Sequence, residues 1–168
     1  MHEAQEKVRR FCREVIQAPT STARPEARDA TLRARLIVEE AAETAAALVG
    51  GSAARGILQE FAGLPLDSEL HPVDLGFKRS LRSEPDLVEV IDGLCDLIYV
   101  AYGTAEAVGV DLEPYFNAVH ASNMAKTGES VDGHGKRGRK PPGWEPPTSE
   151  IRRLLDAATA SCVVEDVS

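Results

Sequence analysis

Residues 87–102 read LVEVIDGLCDLIYVAY, and this stretch decides the fold. Apolar residues fill nearly every position, while Glu89, Asp92 and Asp96 recur at the spacing of one helical face. A helix that is apolar almost all round must be buried on several sides. The stretch therefore predicts the central helix of an all-α bundle, beginning near residues 84–86 and ending before Gly109.

A second acidic stretch, RLIVEEAAE, occupies residues 35–43 of another predicted helix, which runs from about Ala27 to Leu48. Glu40 and Glu43 are three residues apart and share a face, with Glu39 beside them. Taken alone, such a run is typical of a solvated surface.

The acids of the central helix favour a different interpretation. Asp92 and Asp96 are embedded among apolar residues, and charged side chains are rarely buried without a partner. Arg33 and Arg35 could pair with them, but a hard dication is the more natural partner, because Mg²⁺ takes oxygen ligands and keeps water and phosphates in its shell. The two acidic stretches together predict a Mg²⁺ site, with Mn²⁺ as a possible substitute.

The rest of the chain predicts further helices and two irregular segments. Two flanking helices complete a four-helix bundle in one domain of residues 1–158, with short accessory helices and no strand. The remaining helices are predicted at residues 3–17, 52–62, 111–124 and 148–158. The irregular segments are an excursion at 63–85 and a basic Gly/Pro-rich loop at 126–147, and residues 159–168 are predicted to be a frayed tail.

Composition narrows the function classes. The net charge of −8 over 168 residues disfavours stable binding to nucleic acid, which needs a cationic face. Three widely spaced cysteines without a CxxC pattern indicate a reduced, cytoplasmic protein. No apolar run approaches the roughly 20 residues of a membrane span, so no membrane partner is expected.

Several stretches resemble the MazG-like all-α nucleoside triphosphate pyrophosphohydrolases, nearest the bacterial dimeric, dUTPase-like branch that sequence collections often label Cof-like. The matching stretches are Arg35–Glu43, Asp92–Gly103, Gly109–Asp111, Val119–Gly128, Gly135–Lys136 and Lys140–Pro147. The resemblance implies metal ligands at Glu40, Glu43 and Asp96, with Glu39 as an outer ligand or general base. The family has a further Glu where this chain has Gly93.

This departure leaves two registers for the second acidic helix. Asp92, one residue before Gly93 and four before Asp96, is expected to replace the missing ligand. The alternative register uses Glu89 together with Asp92.

The substrate contacts are expected after the central helix. Asn123 and Lys126 match the resemblance as substrate contacts, although a lysine there also suits a helix C-terminus. Lys136 and Lys140 lie in the basic loop, which could close over a polyphosphate or only offset the acidic bundle. Tyr99 is a candidate for the nucleoside pocket, and helix packing explains it equally well.

The expected activity is Mg²⁺-dependent cleavage of a nucleoside triphosphate, dUTP first, into a monophosphate and pyrophosphate, by a homodimer or a dimer of dimers. One alternative is a phosphoribosyl-ATP pyrophosphohydrolase-like or phosphatase activity at the same site. Another is a non-catalytic helical oligomerisation module. A di-iron bundle is disfavoured because neither acidic stretch contains a histidine.

Overall fold

The computed structural model describes residues 2–16, 27–61, 85–131 and 137–165 of the chain. Its elements are α1 (Glu3–Glu14), α2 (Ala27–Val49), α3 (Gly51–Phe61), α4 (Leu87–Ala107), α5 (Leu112–Met124), β1 (Thr127–Val131), β2 (Arg137–Arg139) and α6 (Thr148–Glu165). The predicted all-α class is confirmed, since the elements in these described residues are helices apart from one small hairpin. The chain divides into two compact units, an N-terminal unit of residues 3–110 and a C-terminal unit from residue 111 onward.

Local signals fix the helix ends near where the sequence predicts them. Asp86 caps α4, because its side chain accepts hydrogen bonds from the backbone N–H groups of Val88 and Glu89. Asp111 caps α5 in the same way. Gly109 has a φ of 73°, a backbone conformation in which glycine is favoured and which ends a helix. The predicted excursion at 63–85 lies almost entirely outside the described residues.

Helix α1 packs through a face that overlaps the predicted one only in part. The sequence pattern favours Val8, Phe11 and Val15 as its apolar face, but the buried residues are Gln5, Val8 and Cys12. Val15 is 64% exposed. The prediction is therefore confirmed for Val8 and wrong for Val15, which follows the last residue of the helix. Polar contacts to α4 hold Gln5 on the buried face.

Those polar contacts centre on Glu106 of α4. Its carboxylate accepts hydrogen bonds from Arg9 Nε at 2.7 Å and from Gln5 Nε2 at 2.8 Å. Gln5 also donates to the backbone carbonyl of Val110 at 2.7 Å. Because Gln5 is fully buried, these bonds satisfy a polar group that would otherwise destabilise the core.

Helices α2 and α4 are antiparallel neighbours in the N-terminal unit. A methyl group placed at Gly93 would meet Thr44, and one placed at Gly103 would lie 3.1 Å from the guanidinium of Arg33. The start of α4 is tied to the end of α2 by the hydrogen bond from the Asp86 N–H to the Ala47 carbonyl, at 3.3 Å. This pairing brings the two acidic stretches side by side.

Helix α4 is less buried in the single chain than its composition predicts. Val90, Gly103 and Ala105 are its buried residues. An apolar stripe along the helix remains exposed and comprises Leu87, Val88, Ile91, Leu94 and Ile98. Among the helices of the described segments, none is both long and apolar enough to cross a membrane.

The C-terminal unit contains α5, α6 and the hairpin. Strands β1 and β2 pair antiparallel, with Thr127 opposite Arg139 and Val131 opposite Arg137. The prediction that this segment forms no strand is therefore wrong. Helix α6 continues to Glu165, beyond the predicted end at residue 158.

Candidate active site

The site forms where α2 and α4 are in close contact at Gly93. A methyl group built on Gly93 would lie 2.5 Å from the Thr44 hydroxyl oxygen and 3.3 Å from the Thr44 Cα. Glycine is therefore required at this position, since any side chain would push the helices apart. Thr44 is buried at the contact, with 4% of its surface exposed.

Thr44 also fixes the backbone of the acidic turn on α2. Its hydroxyl donates a hydrogen bond to the carbonyl oxygen of Glu40 at 2.7 Å, one helical turn earlier. This bond satisfies the buried hydroxyl of Thr44 and links the contact between the two helices to Glu40. Neither Thr44 nor the glycine contact was foreseen from the sequence, because a threonine beside a Glu run carries no signal of its own.

Glu40 is the centre of a carboxylate cluster. Burial raises the pKa of the Glu40 carboxyl, and the negative charges of Asp96, Glu43, Glu39 and Asp92 raise it further, in that order. Like charges close together make ionisation of the shared site less favourable. The two acidic stretches predicted from sequence therefore do meet around one residue. The four neighbours include Asp92 and do not include Glu89.

The cluster is more exposed than the sequence analysis expects. Glu40 is half-buried, whereas Glu39, Glu43, Asp92 and Asp96 are exposed in the single chain. The expectation that the acids of α4 are turned into protein is thus wrong for an isolated chain.

No basic side chain in the described segments forms an ion pair with these five acids. Arg33, one of the two arginines considered as partners, instead lies beside Gly103 and Cys12. Burial raises the pKa of the Cys12 thiol, while the charge of Arg33 opposes this effect and that of Glu106 adds to it. Arg35 forms no ion pair with the cluster either. Among the described residues, the negative charge at the helix crossing therefore has no ion-pair partner.

The donor chemistry of the cluster fits a hard divalent cation. All five groups are carboxylates, and oxygen-only donor sets suit Mg²⁺ and Mn²⁺. Within the described part of the chain, no three His, Cys, Asp or Glu side chains are already arranged to share one ion.

Tyr99 lies on α4 and packs against α1. Its ring meets that of Phe11 edge to face, with the centroids 5.5 Å apart and the planes at 79°. Tyr99 therefore takes part in helix packing, which is one of the two roles considered for it from the sequence. With 40% of its surface exposed, the residue also retains a face toward solvent.

Three of the predicted substrate contacts, Asn123, Lys126 and Lys140, belong to the C-terminal unit. Lys126 Nζ donates to Asn123 Oδ1 at 2.7 Å. Lys126 and Lys140 both lie over the ring of Trp144, at 5.5 Å and 4.6 Å from its centroid. Lys136 lies outside the described residues.

The sequence profile of the phosphoribosyl-ATP pyrophosphohydrolase family matches residues 6–123. The chain belongs to this family. The match covers α2, α3 and α4 completely, most of α1 and all but the last residue of α5, so it includes every member of the carboxylate cluster. No curated protein sequence matches the chain.

The phosphoribosyl-ATP pyrophosphohydrolase family lies within the MazG-like superfamily that the sequence resembles, so that level of the resemblance is confirmed. Members are hydrolases that act on phosphoric anhydrides. The match supports the phosphoribosyl-ATP alternative of the sequence analysis better than the dUTP reading, and the dUTPase-like branch remains a prediction.

The contact with Thr44 gives the departure at Gly93 a physical reason. The MazG-like resemblance implies a Glu at this position, but the contact with Thr44 leaves no room for a side chain. The neighbouring residue Asp92 projects about 100° further round the helix. Asp92 reaches the Glu40 cluster from there.

Proposed function

We propose that this chain is a Mg²⁺- or Mn²⁺-dependent pyrophosphohydrolase that cleaves the bond between the α and β phosphates of a nucleoside triphosphate. The observation that carries the proposal is the carboxylate cluster around Glu40, in which two helices place five acids together without a basic partner in the described residues. Such a cluster is unfavourable by itself and becomes favourable when divalent cations and a polyphosphate share it.

Four residues would hold the metal: Glu40, Glu43, Asp92 and Asp96. A bound metal would supply charge neutralisation for the phosphates and acidify a water molecule. Glu39, an exposed member of the cluster, would accept the proton from a water that attacks in line. Positioning by the two fixed helices then accounts for most of the rate, since phosphoryl transfer needs little covalent chemistry from the protein.

The substrate we propose first is phosphoribosyl-ATP, because the family match points to it. The charge cluster itself recognises a triphosphate and its metal, which every nucleoside triphosphate provides. dUTP, the expectation from the MazG-like resemblance, is therefore the second substrate to assay. In each case the products are a nucleoside monophosphate derivative and pyrophosphate.

The test is a panel of phosphoribosyl-ATP, dUTP and the common nucleoside triphosphates, assayed with Mg²⁺ or Mn²⁺ for pyrophosphate and orthophosphate. We expect pyrophosphate from at least one substrate, and its loss in EDTA. Glu40→Gln and Asp96→Asn should lose most of the activity. The matched control is Glu14→Gln, which removes an exposed acid on α1 that pairs with Arg10.

Release of orthophosphate alone would replace the proposal with a phosphatase. Failure of every substrate with both metals, in a protein that is folded by circular dichroism, would overturn it in favour of a non-catalytic module. Full activity of Glu40→Gln would show that the chemistry takes place elsewhere.

We further propose that the active form is a homodimer or a dimer of dimers with α4 at the interface. The exposed apolar stripe on α4 supports this, because exposed apolar surface of that continuity commonly marks an interaction site. Light scattering at micromolar concentration tests it, and a stable, active monomer would contradict it.

A further inference from the structure

The contact between Thr44 of α2 and Gly93 of α4 lies directly beside acids of both helices. A methyl group built on Gly93 would lie 2.5 Å from the Thr44 hydroxyl oxygen and 3.3 Å from both the Cα and the Cβ of that residue. Thr44 directly follows Glu43, and Gly93 directly follows Asp92. Each helix therefore carries an acid of the cluster on the residue before the contact. The closeness of the contact sets the distance between the backbones that carry these two acids.

The hydroxyl of Thr44 links the same contact to Glu40. It donates to the Glu40 carbonyl oxygen at 2.7 Å, and only 4% of the Thr44 surface is exposed. A threonine side chain in a helix divides between two rotamers, and the bond to Glu40 holds one of them. Because the hydroxyl oxygen is the Thr44 atom nearest to the methyl position on Gly93, loss of that bond would change how closely the two helices meet.

A divalent cation makes the separation of α2 and α4 important. Mg²⁺ requires near-octahedral geometry with its oxygen ligands at about 2.0–2.1 Å. The proposed ligands come from both helices, Glu40 and Glu43 from α2 and Asp92 and Asp96 from α4. The two aspartates have one methylene group fewer than a glutamate and so a shorter reach. Their ability to bind the same ion as the glutamates therefore depends on how near α4 lies to α2.

We propose that Thr44 is a positioning residue for the divalent cation. Its hydrogen bond to Glu40 and its packing against Gly93 hold α2 and α4 at the separation from which the acids of both helices can bind one ion. Thr44 acts through the backbone and is not a ligand, since its hydroxyl is buried and donates to the Glu40 carbonyl. The inference rests on the proposed function, because it takes the carboxylates to be metal ligands.

The experiment measures Mn²⁺ binding to the full, metal-free chain by electron paramagnetic resonance, which detects the free aqueous ion and needs no substrate. Thr44→Val keeps the shape of the side chain and removes the hydroxyl. It should weaken Mn²⁺ binding about tenfold or more, as is typical when a group that orients metal ligands is lost. Thr44→Ser keeps the hydroxyl and should retain most of the affinity. Gly93→Ala crowds the hydroxyl from α4 and should also weaken binding.

The matched control is Thr104→Val on α4. The Thr104 hydroxyl donates to the carbonyl oxygen of Val100 at 2.8 Å, so it makes the same four-residue bond as Thr44. Neither Thr104 nor Val100 belongs to the carboxylate cluster. Thr104→Val should therefore lose a comparable hydrogen bond and still bind Mn²⁺ like the wild type. Circular dichroism and urea unfolding establish that each variant is folded and how much stability it has lost.

Three results would each overturn the positioning role. They are unchanged Mn²⁺ affinity in Thr44→Val, equal weakening in Thr104→Val, and equal weakening in Thr44→Ser and Thr44→Val. If Thr44→Val does not fold, Gly93→Ala decides, and unchanged Mn²⁺ affinity in that variant overturns the proposal.

Pyrophosphate release from the same proteins separates this inference from the proposed function. A wild type that hydrolyses a triphosphate with Mn²⁺, beside a Thr44→Val variant that binds Mn²⁺ equally tightly, would overturn the positioning role alone. Weaker Mn²⁺ binding in Thr44→Val, beside a wild type that binds Mn²⁺ but hydrolyses no substrate, would overturn the proposed function alone. A folded wild type that binds no Mn²⁺ would overturn both.

Discussion

Replacing Gly93 by alanine tests how closely α2 and α4 pack at the carboxylate cluster. The new methyl group would lie 2.5 Å from the Thr44 hydroxyl oxygen and 3.3 Å from its Cα. The hydroxyl could rotate away only by giving up its 2.7 Å hydrogen bond to the Glu40 carbonyl, at a cost of about 0.5–1.5 kcal/mol. The Cα belongs to the backbone, so the helices themselves must also shift.

The expected magnitude combines two opposing effects. Overpacking a close contact costs typically about 1–3 kcal/mol. Alanine in place of glycine inside a helix gains about 1 kcal/mol. Gly93→Ala should thus destabilise by up to about 2 kcal/mol. Gly56→Ala in α3, where a methyl group would meet nothing within 4 Å, should stabilise by up to about 1 kcal/mol.

The assay is urea unfolding followed by circular dichroism, with both variants measured beside the wild type. The two variants should differ by about 1–3 kcal/mol, or about 2–4 °C in Tm for each kcal/mol in a chain of this size. Adding Thr44→Ala to Gly93→Ala removes the clashing hydroxyl and should recover part of the loss, a coupling between contacting residues. If Gly93→Ala stabilises as much as Gly56→Ala, the close crossing of α2 and α4 is refuted.

Three further predictions follow from the charges of the N-terminal unit. Because the folded protein raises the pKa of Glu40, ionisation of this carboxyl lowers stability as the pH rises from its ordinary value of 4.5 through the raised folded value. Glu40→Gln should therefore raise the Tm of the metal-free protein at neutral pH and flatten its decline with pH; parallel pH curves for variant and wild type would contradict this. Mg²⁺ at about 100 times its Kd should stabilise the wild type by about 2.7 kcal/mol in thermal unfolding. It should stabilise Asp96→Asn much less, and an equal rise in Tm for both proteins would show that Asp96 is not a ligand. Glu106→Ala should lower the free energy of unfolding in urea by about 2–3 kcal/mol, because Arg9 and Gln5 lose their shared acceptor. A decrease below about 0.5 kcal/mol, the lower limit for one hydrogen bond, would mean that the polar contacts do not hold α1.

The sequence predicts best what is decided locally. Both ends of α4 and the start of α5 follow from Asp86, Gly109 and Asp111, each of which acts on the backbone of its own segment. The convergence of the acids on Glu40 is also foreseeable, because helical spacing puts each set on one face and pairing of the two longest helices then joins them.

What the sequence does not predict depends on partners distant along the chain. The inward face of α1 is decided by Glu106, about a hundred residues away, which holds Gln5 inside and leaves Val15 outside. The hairpin has only five and three residues per strand, too few for an alternating pattern. From the sequence alone, Gly93 is a position where a metal ligand is missing. The structure shows that Thr44 lies so close that only glycine fits there.

The exposed stripe on α4 also gives this surface a chemical reporter. Cys95 lies within the stripe, between Ile91 and Ile98, and its thiol is exposed, whereas Cys12 is buried with a raised pKa. Thiolate is the reactive form, so an alkylating reagent modifies Cys95 well before Cys12. In a Cys162→Ser background, the alkylation rate of Cys95 thus measures how much of the α4 surface is covered at a given protein concentration.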